Sequence, residues 1–496
     1  MSGGWVGSPL PRTGGAPERT TSIQARRGPR VNLVRLAPGA DGMLRRVLRA
    51  LALVASLIGL ACGGPEAPPG APNVLLLLVD TLRPDFLGCY GHTGKMSPAM
   101  DALAARGTLF ETAVTTAPWT KPAVASLLTG LSPSRHGVVL SDQRLPDDVP
   151  TLAERLADAG YTTAAFVNSR WLTNRHGLDR GFQDFAWERE NVRRRKPSGI
   201  AAEAAAWLAA PPPEPFLLFL HFYDVHSDYA SLPRYEREFT SSDYSGPVDG
   251  STAQLRAVRE GRMSLGPGDA SQLAALYSAG VRQMDDVIGH LLSALGRTGL
   301  AERTVVILTS DHGEEFLEHG SVLHGRAQFE EVMRIPLILA GPGVPAGRRV
   351  SRTVSIIDVA PTVLRLAGLP AVSSEGVDLR TMWEAPQEAG GEPRAFFGEA
   401  DWRTPEDDVT RSVRLGHVKL LHDRLRDRTQ LYDLETDPAE RRDLSASNPD
   451  LVRDLRARLD AHVATRRETR DAPDFTPEEV ERLRALGYLD SEPAGD

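Results

Sequence analysis

The chain has 496 residues, which is too long for one small core and predicts a large domain with a smaller companion. Its 41% hydrophobic and 25% charged residues are ordinary for a soluble globular protein. The formal net charge of -8 gives no electrostatic reason to expect a nucleic-acid partner, and we predict none.

The N-terminal region predicts export. Residues 1–42 are rich in Gly, Pro and Arg without a hydrophobic period, and are interpreted as a disordered or wrongly assigned extension. The sequence MLRR at 43–46 then precedes an apolar run too short to span a bilayer comfortably. This pattern is typical of a secretory signal, predicted over 43–62, so translation starting at Met43 is a hypothesis.

The end of the apolar run resembles a bacterial lipoprotein cleavage site. It has the sequence GLACG at 59–63, in which Cys62 would become the lipidated first residue, and a Pro/Gly-rich linker follows over 63–72. We therefore expect a protein of the bacterial periplasm or cell envelope that contacts a membrane only through this lipid. A simple cleaved signal or an uncleaved anchor is the alternative. The chain has two cysteines, so acylation of Cys62 would leave Cys89 without a disulfide partner.

The rest of the chain predicts an α/β fold. Short apolar runs alternate with helical patterns from residue 73 onward, which favours a mostly parallel sheet between helices. The predicted buried strands are Val74–Val79, Thr163–Val167, Phe216–Phe222, Thr304–Thr309 and Ile335–Ala340. The predicted helices are Pro98–Arg106, Pro122–Leu128, Thr151–Ala159, Ala201–Ala209 and Ala270–Leu295.

These elements predict a catalytic domain over 73–372 with a long surface insertion at 228–268. Short strands with turn residues, notably Val413–Leu421 and Gln430–Leu434, then predict a small C-terminal α+β subdomain over 373–446. A helical tail is expected over 447–496.

Three predicted strands end in side chains that bind metals. Asp80 follows the first, Asp224 and His226 follow the third, and Asp311 and His312 follow the fourth. Ligands of an open parallel sheet bind at the carboxyl ends of its strands, so these groups should converge. A single Asp after a strand is often only a helix N-cap, but three strands that end in this way favour a metal site. Carboxylates with imidazoles suit Zn2+ or Mn2+, with Ca2+ or Mg2+ as alternatives.

A candidate nucleophile precedes a predicted helix in the sequence APWTKP at 117–122. Thr120 lies within a residue or two of the helix N-terminus, so it could be an N-cap residue and nothing more. It could also be a nucleophile, because a helix N-terminus binds phosphate or sulfate and a cation lowers the pKa of a coordinated hydroxyl. Spacing alone leaves both interpretations open.

Six segments carry a resemblance to a known family. They are NVLLLLVDTLRPDFLGCYG at 73–91, LLTGLSPSRHGV at 127–138, YSAGVRQMDD at 277–286, SDHGEEFLEHGSVLHGRAQFEEVMRIP at 310–336, DVAPTVLRLAGLP at 358–370 and LYDLETDPAERRDL at 431–444. In this order they resemble the sulfatase family of the alkaline phosphatase superfamily. The resemblance implies an alkaline-phosphatase-like core with a metal-bound nucleophile. By position, Asp80, Asp311 and His312 match ligands of the first metal, and Thr120 matches the nucleophile.

The chain also departs from the family pattern. Sulfatases proper carry Cys or Ser followed by x-Pro-Ser-Arg, and that residue is oxidised to formylglycine. Here the segment is TKPAV at 120–124, and oxidation of a threonine would give a ketone. Thr81 replaces the second Asp of an Asp-Asp pair, the Gly-Lys-Trp-His segment is missing, and His324 stands where a Lys is expected.

These departures lead to a two-cation hypothesis. Phosphatase and phosphodiesterase branches of the superfamily use an Asp/His/His second site and a Ser or Thr nucleophile. One cation would be bound by Asp80, Thr120, Asp311 and His312, and the other by Asp224, His226 and His324. His226 or His324 could instead contact the substrate or protonate its leaving group. His136, His221 and His319 are expected to support ligands or to pack.

The predicted reaction is in-line hydrolysis of an anionic ester, with phosphate monoesters and diesters favoured. Thr120 would attack and form a covalent ester that water or an acceptor alcohol then releases. The alternatives are a sulfuric ester hydrolase that acts without formylglycine, a phosphoryl-group transferase, and a non-catalytic binding protein that keeps the fold.

Overall fold

The computed structural model describes residues 66–187, 199–210, 212–384, 393–399 and 410–471. The expected extension, signal sequence and lipidated Cys62 lie outside these residues, as does the tail beyond 471. Within the described ranges, no helix has both the length and the apolar composition needed to cross a bilayer.

The described strands are β1 Asn73–Val79, β2 Thr108–Phe110, β3 Ala113–Val114, β4 Gln143–Arg144, β5 Thr162–Val167, β6 Asp184–Trp187, β7 Phe216–Phe222, β8 Thr304–Thr309, β9 Glu315–Phe316, β10 Val322–Leu323, β11 Arg334–Ile335, β12 Leu337–Ala340, β13 Arg348–Val350, β14 Val354–Ser355, β15 Ala395–Glu399, β16 Thr410–Leu415, β17 Val418–Asp423, β18 Arg428–Asp433 and β19 Arg470–Asp471.

The described α-helices are α1 Pro98–Ala105, α2 Thr120–Thr129, α3 Pro133–His136, α4 Leu152–Asp158, α5 Ile200–Ala209, α6 Pro233–Phe239, α7 Thr252–Arg259, α8 Pro267–Arg297, α9 Glu330–Met333, α10 Val359–Leu366, α11 Arg380–Glu384 and α12 Pro449–Val463. Short 3-10 turns lie at Pro84–Phe86, Gly88–Tyr90, Arg170–Leu172, Asn174–His176, Ala301–Arg303, Ile356–Asp358 and Ser445–Ser447.

The main sheet confirms the predicted fold class. Its eight described strands have the order β13-β2-β12-β8-β1-β7-β5-β6, and β12 runs antiparallel to both of its neighbours while the other pairs are parallel. The central strand β1 is buried on both faces, which explains its unbroken apolar sequence. One face packs on α1, α5 and α8, and the other on α2, α4 and α10.

Two predicted strands are each divided in the structure. The run Ile335–Ala340 is divided into β11 and β12 at Pro336, which has no N–H for a ladder hydrogen bond. The run Val413–Leu421 is divided into β16 and β17 by a turn at Gly416, which has a φ of 62°. The insertion 228–268 contains α6 and α7, which at 7 and 8 residues are too short to show a clear hydrophobic period.

The C-terminal subdomain has a four-stranded antiparallel sheet, β15-β16-β17-β18, with α12 packed on one face. Buried charges connect this sheet to α9 of the larger domain. The Nζ atom of Lys419 lies 2.9 Å from Glu330 Oε1 and 3.0 Å from Glu440 Oε1, and Arg414 also pairs with Glu330 at 2.9 Å. Lys419 is 2% exposed, so its charge is compensated almost entirely by these carboxylates.

We expect Lys419→Ala to lower the free energy of unfolding by about 3–5 kcal/mol, because it leaves two buried carboxylates without their shared cation. Chemical denaturation measures the change. The control is Arg426→Ala, which removes a cation that is 78% exposed in its ion pair with Asp423 and should change the unfolding free energy by no more than about 0.5 kcal/mol. Equal effects of the two substitutions would contradict a special role for the buried cluster.

Candidate active site

The predicted metal ligands meet at the carboxyl ends of two neighbouring strands. Asp80 follows β1, and its N–H donates a hydrogen bond of 2.9 Å to Phe222 O at the end of β7. Asp311 and His312 follow β8, which pairs with β1 in parallel. The side chains of Asp80, Asp311 and His312 are all fully buried. The topology therefore brings together residues separated by more than 200 positions in the sequence.

The distances within this group are short. His312 Nε2 lies 3.6 Å from Asp80 Oδ1 and 3.4 Å from Asp311 Oδ2. Asp311 is held by its other oxygen, Oδ1, which accepts hydrogen bonds from the N–H groups of His312 at 3.0 Å and Thr81 at 3.3 Å. Its Oδ2 atom is thereby left facing the group.

Thr120 lies beside these ligands at the first position of α2. Its hydroxyl donates a hydrogen bond of 3.4 Å to Asp80 Oδ2, and the residue is 3% exposed. The N-cap position is occupied by Trp119, and no side-chain hydrogen bond caps this helix. The interpretation of Thr120 as a simple N-cap is therefore wrong, because its hydroxyl points to a carboxylate instead of to the helix N–H groups.

His221 joins this group, although the sequence favoured a packing or supporting role for it. Its Nε2 atom lies 3.5 Å from Asp80 Oδ2, and ligand atoms of Asp80, His221 and Asp311 all lie within 4.8 Å of one another. His221 is inside β7, opposite Leu78 of β1, and so does not follow a strand end as the predicted ligands do. Strand alternation would have found it, because Phe219 two residues earlier packs on the face that carries α2.

The group fits a divalent cation. Two fully buried carboxylates lie together with two imidazoles, and burying two negative charges side by side is costly without a compensating cation. Among the described residues, neither Asp311 Oδ2 nor His312 Nε2 has a hydrogen-bond partner. Oxygen and imidazole donors of this kind suit Zn2+ or Mn2+.

A glycine fixes the loop that carries two of these ligands. A Cβ atom at residue 313 would lie 2.0 Å from Glu331 O, so only glycine permits this approach of the two backbones. The contact is completed by hydrogen bonds from Gly313 N to Val332 O at 2.8 Å and from Glu314 N to Glu331 O at 3.0 Å. Asp311 and His312 are thus held on a rigid turn.

The residues of the predicted second cation site are placed differently from the first set. His324 Nδ1 lies 2.9 Å from Glu314 Oε1, and its ring centroid is 4.3 Å from that of His312 and 4.8 Å from that of His226. His226 Nδ1 lies 2.9 Å from Ser227 O, which accepts its hydrogen bond, and His226 Nε2 lies 3.2 Å from the Tyr223 hydroxyl. Burial lowers the pKa of both imidazoles and keeps them neutral.

The place of Asp224 in the second set stays a prediction. In the described part of the chain, Asp224, His226 and His324 do not form a group whose ligand atoms all lie within 4.8 Å of one another. His324 has one nitrogen, Nδ1, held by a protein oxygen, and both nitrogens of His226 lie near protein oxygens, so both rings are fixed at the site. The second cation stays a prediction, and these positions fit metal ligands as well as a role in contacting substrate or moving its proton.

Lys121, within α2, and His136, at the end of α3, make buried contacts that hold α2 in place. Lys121 is fully buried, and its Nζ donates hydrogen bonds of 2.7 Å to both Ser141 O and Gln143 O. His136 Nε2 lies 3.1 Å from Ser126 Oγ in the middle of the helix, and His136 Nδ1 accepts a hydrogen bond of 3.0 Å from Val138 N. These contacts hold the helix that positions Thr120.

His136 predicts a pH dependence of stability. Burial lowers its pKa to about 4, below the ordinary value of 6.5, so the folded protein keeps the ring neutral while the unfolded chain protonates first. The free energy of unfolding should therefore fall by up to about 3 kcal/mol as pH drops from 6.5 to 4. Denaturant titrations at several pH values measure this. His136→Gln should lack this part of the dependence, and an unchanged pH profile in the variant would contradict the assignment.

Comparisons with known proteins agree with this fold. A family model for sulfatases matches residues 72–369, and a model for the C-terminal region of N-sulphoglucosamine sulphohydrolase matches 318–468. A Delta 4,5-hexuronate-2-O-sulfatase of Bacteroides thetaiotaomicron is 26% identical over 485 residues, covering 88% of this chain and 98% of the relative.

Solved structures show the same architecture. The phosphonate monoester hydrolase of Agrobacterium radiobacter aligns with a TM-score of 0.65 and 23% identity, covering 80% of this chain and 96% of that one. A protein solved in complex with D-glucosamine-2-N,6-O-disulfate aligns with a TM-score of 0.65 and 20% identity, covering 80% and 98%.

Fold and relatives together define an ester hydrolase of the sulfatase type. Because the sulfatase model spans more than half of its length, the chain belongs to the sulfatase family. Members of this family generally use a divalent metal, and the group formed by Asp80, His221 and Asp311 provides candidate ligands for one.

Proposed function

We propose that this enzyme hydrolyses phosphate monoesters or diesters with the hydroxyl of Thr120 as its nucleophile. The observation that carries the proposal is the position of that hydroxyl, at the first residue of α2 and 3.4 Å from Asp80 Oδ2. The family has its oxidisable Cys or Ser at this place, and a threonine cannot give the same aldehyde. An unmodified hydroxyl is a nucleophile suited to phosphoryl transfer.

Asp80, Asp311, His312 and Thr120 would hold the cation, with His221 as a further candidate. Zn2+ or Mn2+ is favoured over Ca2+ or Mg2+. When bound, the cation would polarise the ester and lower the pKa of the Thr120 hydroxyl. The N-terminus of α2 adds a positive dipole and backbone N–H groups for the nonbridging oxygens of the substrate.

The chain's own residues then account for the bond changes. Thr120 gives up its hydroxyl proton to solvent, its Oγ1 atom attacks phosphorus, the bond to the leaving oxygen breaks, and the phosphoryl group becomes an ester of Thr120. The Asp80 carboxylate accepts the hydrogen bond of that hydroxyl and so orients it before the attack. The leaving oxygen takes a proton from solvent. His226 or His324, with a neutral ring, accepts a proton from the water that attacks the Thr120 ester, and the bond between phosphorus and Thr120 Oγ1 then breaks.

A second candidate function is hydrolysis of sulfate esters without formylglycine. The similarity to a hexuronate 2-O-sulfatase over 88% of the chain favours it, as does the fold shared with a protein that binds a glucosamine disulfate. The fold shared with a phosphonate monoester hydrolase supports the first proposal, hydrolysis of phosphate esters.

A substrate panel tests the proposal. Purified enzyme is given an aryl sulfate, an aryl phosphate monoester and an aryl phosphodiester, each with added Zn2+, Mn2+, Mg2+ or Ca2+. We expect kcat/KM to be highest for one of the two phosphate esters. A higher value for the sulfate would favour the second candidate, and no turnover of any ester with any metal would contradict both.

We also propose that the protein is exported, with a lipid on Cys62. The support is the sequence pattern at 43–63. Mass spectrometry of the native protein tests this: a lipidated N-terminal Cys62 is expected, and a peptide from residues 1–42 would contradict the proposed start at Met43.

A further inference from the structure

We infer that Arg259, on helix α7 of the insertion, is a positioning residue that holds His324 against the reacting groups. The inference rests on the proposed function. Arg259 lies outside the six segments that resemble the sulfatase family, in the predicted surface insertion 228–268.

The guanidinium of Arg259 contacts the backbone on both sides of one residue. Its Nε and Nη2 atoms donate hydrogen bonds of 3.2 and 3.0 Å to Val322 O, and Nη2 also donates one of 2.8 Å to His324 O. The residue between these carbonyls, Leu323, has a φ of 68°, in the left-handed region that L-residues other than Asn and Asp rarely adopt. Arg259 therefore stabilises an unfavourable backbone conformation immediately before His324.

The same conformation places the His324 ring. Glu314 Oε1 lies 2.9 Å from His324 Nδ1, so the backbone is held from α7 and the ring is held by the turn that carries the metal ligands. The ring is thus fixed at two points, with Nε2 as the nitrogen that the Glu314 contact leaves available. Its centroid is 4.3 Å from that of His312. Arg259 reaches His324 through backbone carbonyls, and we expect its effect on the reaction to act through that histidine.

Helix α7 is itself held in place, so it can fix the position of the Arg259 guanidinium. Leu255 is fully buried in the main core, which also includes Val322 and Leu323. The helix N-terminus is capped by Ser251 Oγ, which accepts a hydrogen bond of 3.2 Å from Gln254 N, and by Asp228, which accepts one from Thr252 N. A guanidinium suits the task because its planar set of N–H groups can bind two carbonyls at once, whereas an ammonium group cannot reproduce that geometry.

A double-mutant cycle tests the inference. Turnover is measured for wild type, Arg259→Ala, His324→Ala and the double variant, with Arg259→Lys in reserve if the alanine variant does not fold. The matched control is Arg262→Ala, three residues along, where the guanidinium is 63% exposed and pairs only with Glu260 among its described ion-pair partners. We expect Arg259→Ala to lower kcat by about 10–100-fold with a much smaller change in KM, and the control to match wild type.

The decisive result is the loss of this effect when His324 is absent. In the His324→Ala background, Arg259→Ala should change kcat by no more than about twofold, because two residues that act through one group are not additive. An undiminished effect in that background would overturn the inference, since Arg259 would then act by another route.

Hydrogen exchange separates this inference from the proposed function. Backbone amides of residues 322–325 should exchange faster in Arg259→Ala than in wild type and in Arg262→Ala, whether or not a substrate is known. Equal exchange in all three proteins would overturn the inference. If wild type hydrolyses no ester while exchange rises as expected, the proposed function fails and the role of Arg259 in holding the His324 segment stands.

Discussion

Replacing Thr120 by alanine is expected to lower kcat by about 10³–10⁵-fold on the best ester substrate, because it removes the atom that forms the covalent intermediate. The protein should still fold and still bind a cation, since Asp80, Asp311 and His312 are untouched. Steady-state kinetics together with metal analysis of the purified variant measure both expectations.

Thr120→Ser is the matched control for this substitution. It keeps a hydroxyl at the first position of α2 and removes one methyl group, so we expect kcat within about tenfold of wild type. A quenched reaction of wild type should also carry the phosphoryl group on Thr120, detectable by mass spectrometry of the peptide. Near-normal turnover by Thr120→Ala would mean that another group attacks the ester.

Replacing Asp311 by asparagine should remove the cation and reduce kcat/KM by about 10²–10³-fold or more, because the carboxylate both supplies charge and is oriented to bind. The variant keeps an oxygen that can accept the hydrogen bonds from His312 N and Thr81 N, so the local backbone should be preserved. Metal content per chain and activity are measured on the same sample.

The melting temperature gives a second measurement on the Asp311→Asn variant. Chelation should lower the melting temperature of wild type, since two buried carboxylates then lie together without a cation. The metal-free Asp311→Asn variant should melt above metal-free wild type, because it has one buried negative charge fewer. A suitable control is Asp433→Asn, which alters a surface group of His417, Asp433 and Glu435. Loss of metal or activity in the control would place the essential cation elsewhere.

The position of the site could be predicted because of a simple property of parallel sheets. Asp80, Asp311 and His312 follow strands whose apolar sequences are unmistakable, and parallel strands bring their carboxyl ends to one edge. The role of Asp224, which follows β7, stays a prediction. The direction of a side chain beyond a strand end depends on the turn that follows, and a turn has no period that would reveal it.

Other functional positions depend on tertiary contacts that no local pattern records. His221 faces the site because of the register between β7 and β1, and Glu314 reaches His324 across a turn fixed by Gly313. Arg259 lies 65 positions before His324 in the sequence and meets it only through the docking of α7. The insertion 228–268 has little hydrophobic periodicity, so the sequence could not reveal such a contact.

The central claim is that a cation is held by Asp80, Asp311 and His312 next to the hydroxyl of Thr120. Crystals grown with Mn2+ or Zn2+ and measured at the absorption edge of that metal test it most directly. We expect an anomalous peak within about 2.0–2.3 Å of ligand atoms of these side chains, with the Thr120 oxygen beside it. A map without a peak among them, from protein that hydrolyses its substrate in the same solution, would contradict it.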